Sequence, residues 1–440
     1  MRRLALLSVA VIVALATLGA ACGGGSAGAA GNVRFLVFGD PEEIQAFRDV
    51  IAAFEREQDD VDVQLVEAAD REDLLTRLST SFAGGSPPDL FLINYRFYGQ
   101  FAAKGVLEPL EDRVEDSDAF EPDDFYPVAL DAFRWDGELT CLPQNASSLA
   151  VYYNVDLFRK HGVPRPRSGW TWNEMLLAAQ RLTVDSAGRQ VRAGDPDAGG
   201  RTASIYGLGV EPAVIRIAPF VWSNGGEVVD DPDHPTRFAF DKRESLAALK
   251  AFLELRVPYG VIPSDVEVEA EDDETRFANG RLAMLLESRR VTPTFRTIED
   301  FEWDVAPLPI HREPATILHS DAYCMTKASE EKDAAWRFVE FANSVEGQRI
   351  VARTGRTVPS LVSVSKERVF LDPTARPRNS QVWLDALERM RSVPAISTWP
   401  EIEDVAEGIL ENGLYQGRPA EDIAAELDEA TRPLFARAEH

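Results

Sequence analysis

Glu287-Ser288-Arg289-Arg290 sets two guanidiniums side by side after the apolar run Leu282-Ala283-Met284-Leu285-Leu286. A guanidinium offers a planar fork of N–H donors that matches phosphate or carboxylate two bonds at a time. Arg356, just ahead of Val358-Pro359, adds a third cation. These residues stand in a very acidic chain: its 440 residues carry 46 Lys and Arg against 73 Asp and Glu, a net charge of −27. Pairing with nearby acids is therefore the competing role for each Arg, and so acidic a body repels nucleic acid. Five histidines lie scattered, with no HExxH and no CxxC, which argues against a zinc site. No GxSxG elbow and no nucleophile–base set stands out. Carboxylates are so abundant that a hydrolytic pair could be drawn anywhere, so their number says nothing for an exported glycosidase. No cofactor is expected.

The elements that must position these groups begin with a strand at 33–38. Asp40 suits a helix N-cap, Pro41 the first helical position, and Glu43 would close a capping box. Ile44, Phe47, Ile51 and Phe54 then recur at helical spacing. A strand at 61–66, a helix carrying Leu74, Leu75, Leu78 and Phe82, and a strand at 89–93 follow. Strands alternating with helices predict βαβ units and an α/β fold. Ligands in such sheets sit beyond the carboxyl ends of strands. That rule draws attention to the loop at Asp40 and Glu42 and to Asn94 and Tyr95. Further on, 149–153 reads as a strand, Thr171-Trp172-Asn173-Glu174 as a capping box opening a helix to Leu182, and 185–204 as an exposed loop. Helical faces recur at Leu246, Leu249 and Leu253, at Trp336 and Val339, and at Ile423, Leu427 and Leu434.

The chain opens with Met1-Arg2-Arg3, an apolar run from Leu4 to Leu18, and Gly19-Ala20-Ala21-Cys22. A basic start, a short apolar stretch and small residues describe a secretory signal. The cysteine at the break resembles a bacterial lipoprotein signal with its lipobox, although Gly19 stands where that pattern prefers Leu. The resemblance implies a signal peptide at 1–21 and acyl chains on Cys22. A flexible Gly/Ser/Ala tether at 22–31 would follow, with the body outside the cell membrane. Cys141 and Cys324 remain, free either to pair in an oxidising space or to stay as buried thiols.

Several segments, in order and spacing, resemble the extracellular solute-binding proteins of bacterial ABC importers, the sugar-type group that includes maltose-binding protein. They are Ala83-Gly84-Gly85-Ser86-Pro87-Pro88-Asp89, Gly105-Val106-Leu107-Glu108-Pro109-Leu110, Leu142-Pro143 with Tyr152-Tyr153-Asn154, and Thr171-Trp172-Asn173-Glu174. Asn224-Gly225-Gly226, Phe277 to Met284, and Ser344-Val345-Glu346-Gly347-Gln348 complete the set. The resemblance implies a two-lobed periplasmic-binding-protein-like fold of type II, each lobe a sheet flanked by helices, joined by hinge strands. It implies a first lobe of 32–143 and 285–318 and a second of 144–284 and 319–440, with the terminal helices packing across both. Cys141 and Cys324 would then lie near the hinge.

The implied function is capture of a carbohydrate in the cleft by a monomer, which hands it to membrane permease subunits. Aromatic faces cover sugar C–H surfaces and planar polar groups bond hydroxyls. The expected ligand contacts are Asp40, Asn94, Tyr95, Asn145, Trp222, Glu287, Arg290, Asp321, Tyr323, Arg356 and Trp399. Trp222 and Trp399 would be the stacking surfaces. If the Arg forks are unpaired, a phosphorylated polyol becomes the ligand. A two-lobed sensor with the same fold is the remaining alternative.

Overall fold

The computed structural model describes residues 31–191 and 202–439. The expected signal at 1–21, Cys22 and all but the last residue of the tether lie outside the described residues, as does the middle of the loop at 185–204. Gly31 does not belong to a tether: it opens strand β1 (Gly31–Val37) and pairs with Val61.

A five-stranded sheet builds the first lobe. Its order is β2 (Val61–Glu67), β1, β3 (Leu90–Asn94), β11 (Asp321–Met325) and β6 (Leu142–Pro143). β1 runs parallel to β2 and β3, whereas β11 runs antiparallel to β3 and β6. Helix Pro41–Glu57 joins β1 to β2 and buries Ile44, Phe47, Ile51 and Phe54, the face its spacing predicts. Helix Arg71–Ala83 joins β2 to β3, and a short hairpin of β4 (Arg134–Trp135) and β5 (Glu138–Leu139) precedes β6.

A three-stranded sheet centres the second lobe. β7 (Leu149–Asn154) lies between β8 (Met284–Ser288) and β9 (Trp303–Ala306), antiparallel to both. Tyr152, Phe295 and Trp303 pack beneath it with ring centroids 5.4 to 5.9 Å apart. The capping box at Thr171 and Glu174 forms as predicted and starts helix Trp172–Leu182.

Strand pairing moves residues 285–318 and β11 across the expected boundaries, whereas Trp383 packs 6.2 Å from Tyr152 in the second lobe. Residues 285–318, assigned by resemblance to the first lobe, supply β8 and β9 to the second sheet. Residues 319–440 were assigned to the second lobe. Yet β11 pairs with β3, and Phe338 of helix Lys332–Asn343 packs 5.6 Å from Phe35 of β1. The reason is nonlocal: β8 satisfies its backbone on β7, more than 130 residues earlier, as register Leu149 to Ser288 shows.

The chain passes between the lobes at 144–148, between β6 and β7, and at 318–320, between β10 (Thr316–Ile317) and β11. β12 (Met390–Arg391) runs parallel to β10, and the chain crosses again beside it. One C-terminal helix lies across both lobes. Helix Trp399–Gln416 contacts helix Tyr95–Ala102 on one side and helix Arg243–Leu253 on the other. Cys141 and Cys324 form a disulfide, with Cα atoms 4.4 Å apart, where β6 and β11 adjoin the crossings.

Candidate functional site

Asp40 occupies the N-cap position of helix Pro41–Glu57, but its side chain does not cap. Its carboxylate pairs with Arg356. Glu43, expected to close a capping box, instead lies buried and accepts from Arg356 at 2.9 Å. One guanidinium thus serves two carboxylates. Burial outweighs that attraction at Glu43, and nearby Asp321 adds repulsion, so its pKa rises from 4.5 to about 7. Arg356 also donates to the Arg290 carbonyl at 3.3 Å, joining Asp40 and Glu43 to the second lobe.

Asn94 ends β3 opposite Asp321, which opens β11. The Asn94 amide donates to one Asp321 oxygen at 3.1 Å, and the Asn145 amide donates to the other at 3.0 Å. Asn145 lies on the first crossing, so Asp321 is clamped between the end of a strand and the hinge. Asp321 also lines the cavity between the lobes. That cavity, about 370 Å³, is also lined by Asp40, Arg290 and Arg356.

The second lobe contributes its own ionic set. Arg290 pairs with Glu274 and reaches Glu287 at 3.4 Å. Glu287 is buried and binds Arg216 at 2.7 Å. Arg216 binds Glu211 at 3.0 Å as well. From the first lobe, Arg96 pairs with Glu403 at 2.6 Å, both nearly buried. Each of these guanidiniums therefore already holds a carboxylate. His319 lies among them, and burial together with Arg216, Arg96 and Arg290 pushes its pKa well down, leaving a neutral imidazole.

Six of the expected contacts thus meet in one cavity: Asp40, Asn94, Asn145, Arg290, Asp321 and Arg356. Glu287 stands behind it, orienting Arg216 and Arg290. Four lie elsewhere. Trp399 is fully buried, packed against Phe238 and Phe435. Tyr323 is buried against Phe35 at 5.7 Å. Tyr95 is buried with its hydroxyl accepting from the Val393 N–H at 3.3 Å. Trp222 is 3% exposed, its ring covered by the Arg391 guanidinium at 4.7 Å, beside a separate cavity also lined by Trp135. None offers the cleft a stacking face. The paired Arg289 and Arg290 part company: Arg289 is buried between Phe370 and Trp383, 4.4 and 4.5 Å from their rings.

Arg96, Arg216 and His319 line the cavity without having been singled out in the sequence, and Glu43, read there only as a capping residue, joins them. Arg216 carried a signal: it is the one charged residue in the apolar helix Val214–Ser223. His319 likewise follows an apolar stretch, Ala315-Thr316-Ile317-Leu318. Among the described residues no cluster of His, Cys, Asp and Glu could hold a metal. Carboxylate acceptors, amides and guanidinium donors converge on one polar, charge-balanced space, an arrangement that bonds hydroxyls from many directions.

Comparison with known proteins agrees with this architecture. The model of the bacterial extracellular solute-binding protein family matches residues 39–349. A protein of Brucella abortus described as a binding protein is 24% identical over 393 residues, 87% of this chain and 89% of its own. The maltotriose-binding protein of Pyrococcus abyssi is 24% identical over 309 residues, 68% of this chain and 60% of its own. Among solved structures, an ABC substrate-binding protein of Listeria monocytogenes in complex with cycloalternan superposes with a TM-score of 0.82 at 25% identity, covering 92% of this chain and 99% of that one. With the family model matching well over half of its length, on a fold of two lobes around a polar cleft, this chain belongs to the bacterial extracellular solute-binding proteins.

Proposed function

We propose that this protein is the substrate-binding component of an ABC importer and that it captures a carbohydrate in the cleft between its lobes. The observation that carries the reading is Asp321, held by Asn94 and Asn145 on the wall of a cavity of paired guanidiniums. Hydroxyls both donate and accept, so they can bond carboxylate, amide and guanidinium in turn. The relatives that bind maltotriose and cycloalternan support the same class.

Ligand binds the open cleft, and closure adds contacts from the other lobe. Greater affinity for the closed form drives the shift. The closed form is what a membrane permease reads. The protein performs no reaction on its ligand and acts as a monomer. Residues 1–21 serve as its export signal, and acyl chains on Cys22 hold it to the outer face of the cell membrane, with 22–30 as the tether. Arg290 and Arg356 are both committed to carboxylates, so a phosphorylated polyol fits this cleft less well than a neutral sugar.

Thermal unfolding against mono-, di- and oligosaccharides, polyols and polyol phosphates tests the reading. Ligand that binds only the folded state raises the midpoint by mass action, because it adds about 2.7 kcal/mol to the unfolding free energy at a hundred times Kd. A rise with neutral sugars is expected. A rise confined to phosphates contradicts the carbohydrate assignment.

A further inference from the structure

We propose that the ligand is short, one or two sugar rings, and that it is selected by the buried Arg216 and the half-buried His319 through hydroxyl bonding rather than by aromatic stacking. This rests on the carbohydrate reading above and narrows it.

Arg216 is 3% exposed. Its Nε and Nη2 are spent on Glu211 and Glu287, at 3.1 and 2.7 Å. Its Nη1 is buried with no partner, and so is Nε2 of His319. Both residues line the cavity. A buried donor left unmade is costly, and more so on a charged group. A ligand hydroxyl relieves both. Arg216 is already charge-balanced by two carboxylates, so its free N–H suits a neutral oxygen better than an anion. A neutral imidazole has one donor and one acceptor nitrogen, and a hydroxyl satisfies either.

The walls set the length. The Arg96–Glu403 pair ties helix Tyr95–Ala102 to helix Trp399–Gln416 at the cavity. Arg356, bonded to Asp40, Glu43 and the Arg290 carbonyl, bridges it elsewhere. The space between, about 370 Å³, lies near the bottom of the roughly 300–1,000 Å³ range of ligand sites. At about 30 Å³ for a water in the liquid it holds about a dozen water-sized groups. Bonded atoms pack closer than separate waters, so this takes one hexose loosely or two rings tightly. A third ring lies outside.

Longer chains also need platforms. Phe38 and Phe97 are the aromatic carbocycles on the cavity wall, and Phe97 already carries the Arg71 and Arg96 guanidiniums, 4.8 and 5.0 Å from its centroid. Trp222 and Trp399 face elsewhere.

Titration calorimetry of the purified protein with pentoses, hexoses, their disaccharides and the corresponding tri- and tetrasaccharides tests this. Affinity should rise from one ring to two and change less than about threefold with the third. His319→Ala should weaken the best sugar by about tenfold or more, and that penalty should vanish for the monodeoxy analogue lacking the contacting hydroxyl. Arg216→Met should do the same. If it fails to fold, His319→Ala carries the test. Affinity that climbs tenfold with a third ring, or an unchanged Kd in His319→Ala, overturns the proposal and leaves the carbohydrate cleft standing. If no carbohydrate of any length binds, the reading of the cleft falls and this proposal with it.

Discussion

Ser147 and His319 exchange both backbone hydrogen bonds, at 2.9 and 2.8 Å, where two strands pass side by side between the lobes. The Ser147 hydroxyl also accepts from the Val358 N–H at 3.0 Å. Both residues line the cleft as well. The floor of the binding cavity is therefore the hinge itself. A ligand bonded to that floor touches the part of the chain that must bend for the lobes to close.

Asp321 should be the acceptor on which affinity depends most. Asp321→Ala removes a charged partner from two amides and from the ligand. Hydrogen bonds to charged groups contribute about 1.5–3 kcal/mol, so affinity should fall roughly ten- to a hundredfold. Titration calorimetry with the best sugar of the panel checks it. A Kd within twofold of the parent would remove Asp321 from the site.

Trp399→Ala should damage the fold before it damages binding. The ring is fully buried, and deleting a buried Trp costs about 3–5 kcal/mol. Denaturant unfolding reads that loss. Trp222→Ala should likewise lower stability through its lost packing and the Arg391 contact, with sugar affinity unchanged within about twofold. A large affinity loss at unchanged stability would restore Trp222 to the cleft.

These two tryptophans show where sequence reading stops. Periodicity located helix Pro41–Glu57 from Ile44, Phe47, Ile51 and Phe54, and short apolar runs located β1 to β3, because local burial patterns write themselves into neighbouring residues. Which way one Trp faces depends on elements far away, here Phe238 and Phe435 for Trp399. Asp40 and Glu43 satisfied a capping rule, yet Arg356, more than 300 residues on, drew both side chains away. Arg289 and Arg290 looked equivalent, and only the packing of Phe370 and Trp383 separates them. The lobe assignments of 285–318 and of β11 failed for the same reason: strand partners were nonlocal.

Stability should fall as pH rises through Glu43. Its folded pKa is raised from 4.5 to about 7 by burial. Below 4.5 both folded and unfolded states hold the proton. Between 4.5 and 7 the unfolded chain releases it first, so the contribution is lost as pH rises through that window. Glu43→Gln should flatten the slope of unfolding free energy over pH 4.5–7, measured by urea unfolding at several pH values. An unchanged slope would show that Arg356 keeps Glu43 ionised.

Reduction of Cys141–Cys324 should lower stability substantially. The bridge closes a loop of 183 residues, for which the chain-entropy model gives about 5 kcal/mol. Cys141→Ala with Cys324→Ala should reproduce the loss, read as the unfolding midpoint with and without reductant. A parent protein indifferent to reductant would show that the two thiols do not pair.

The central claim is that a neutral sugar sits between the lobes on Asp321 and the hinge. A crystal structure of the protein with the sugar that raises its unfolding midpoint most tests it directly. Sugar hydroxyls bonded to Asp321 and Asn145, with the ring between Arg216 and His319, are the predicted result. A sugar seated instead beside Trp135 and Trp222, or one that leaves Asp321 bonded to the two asparagines alone, would contradict the account.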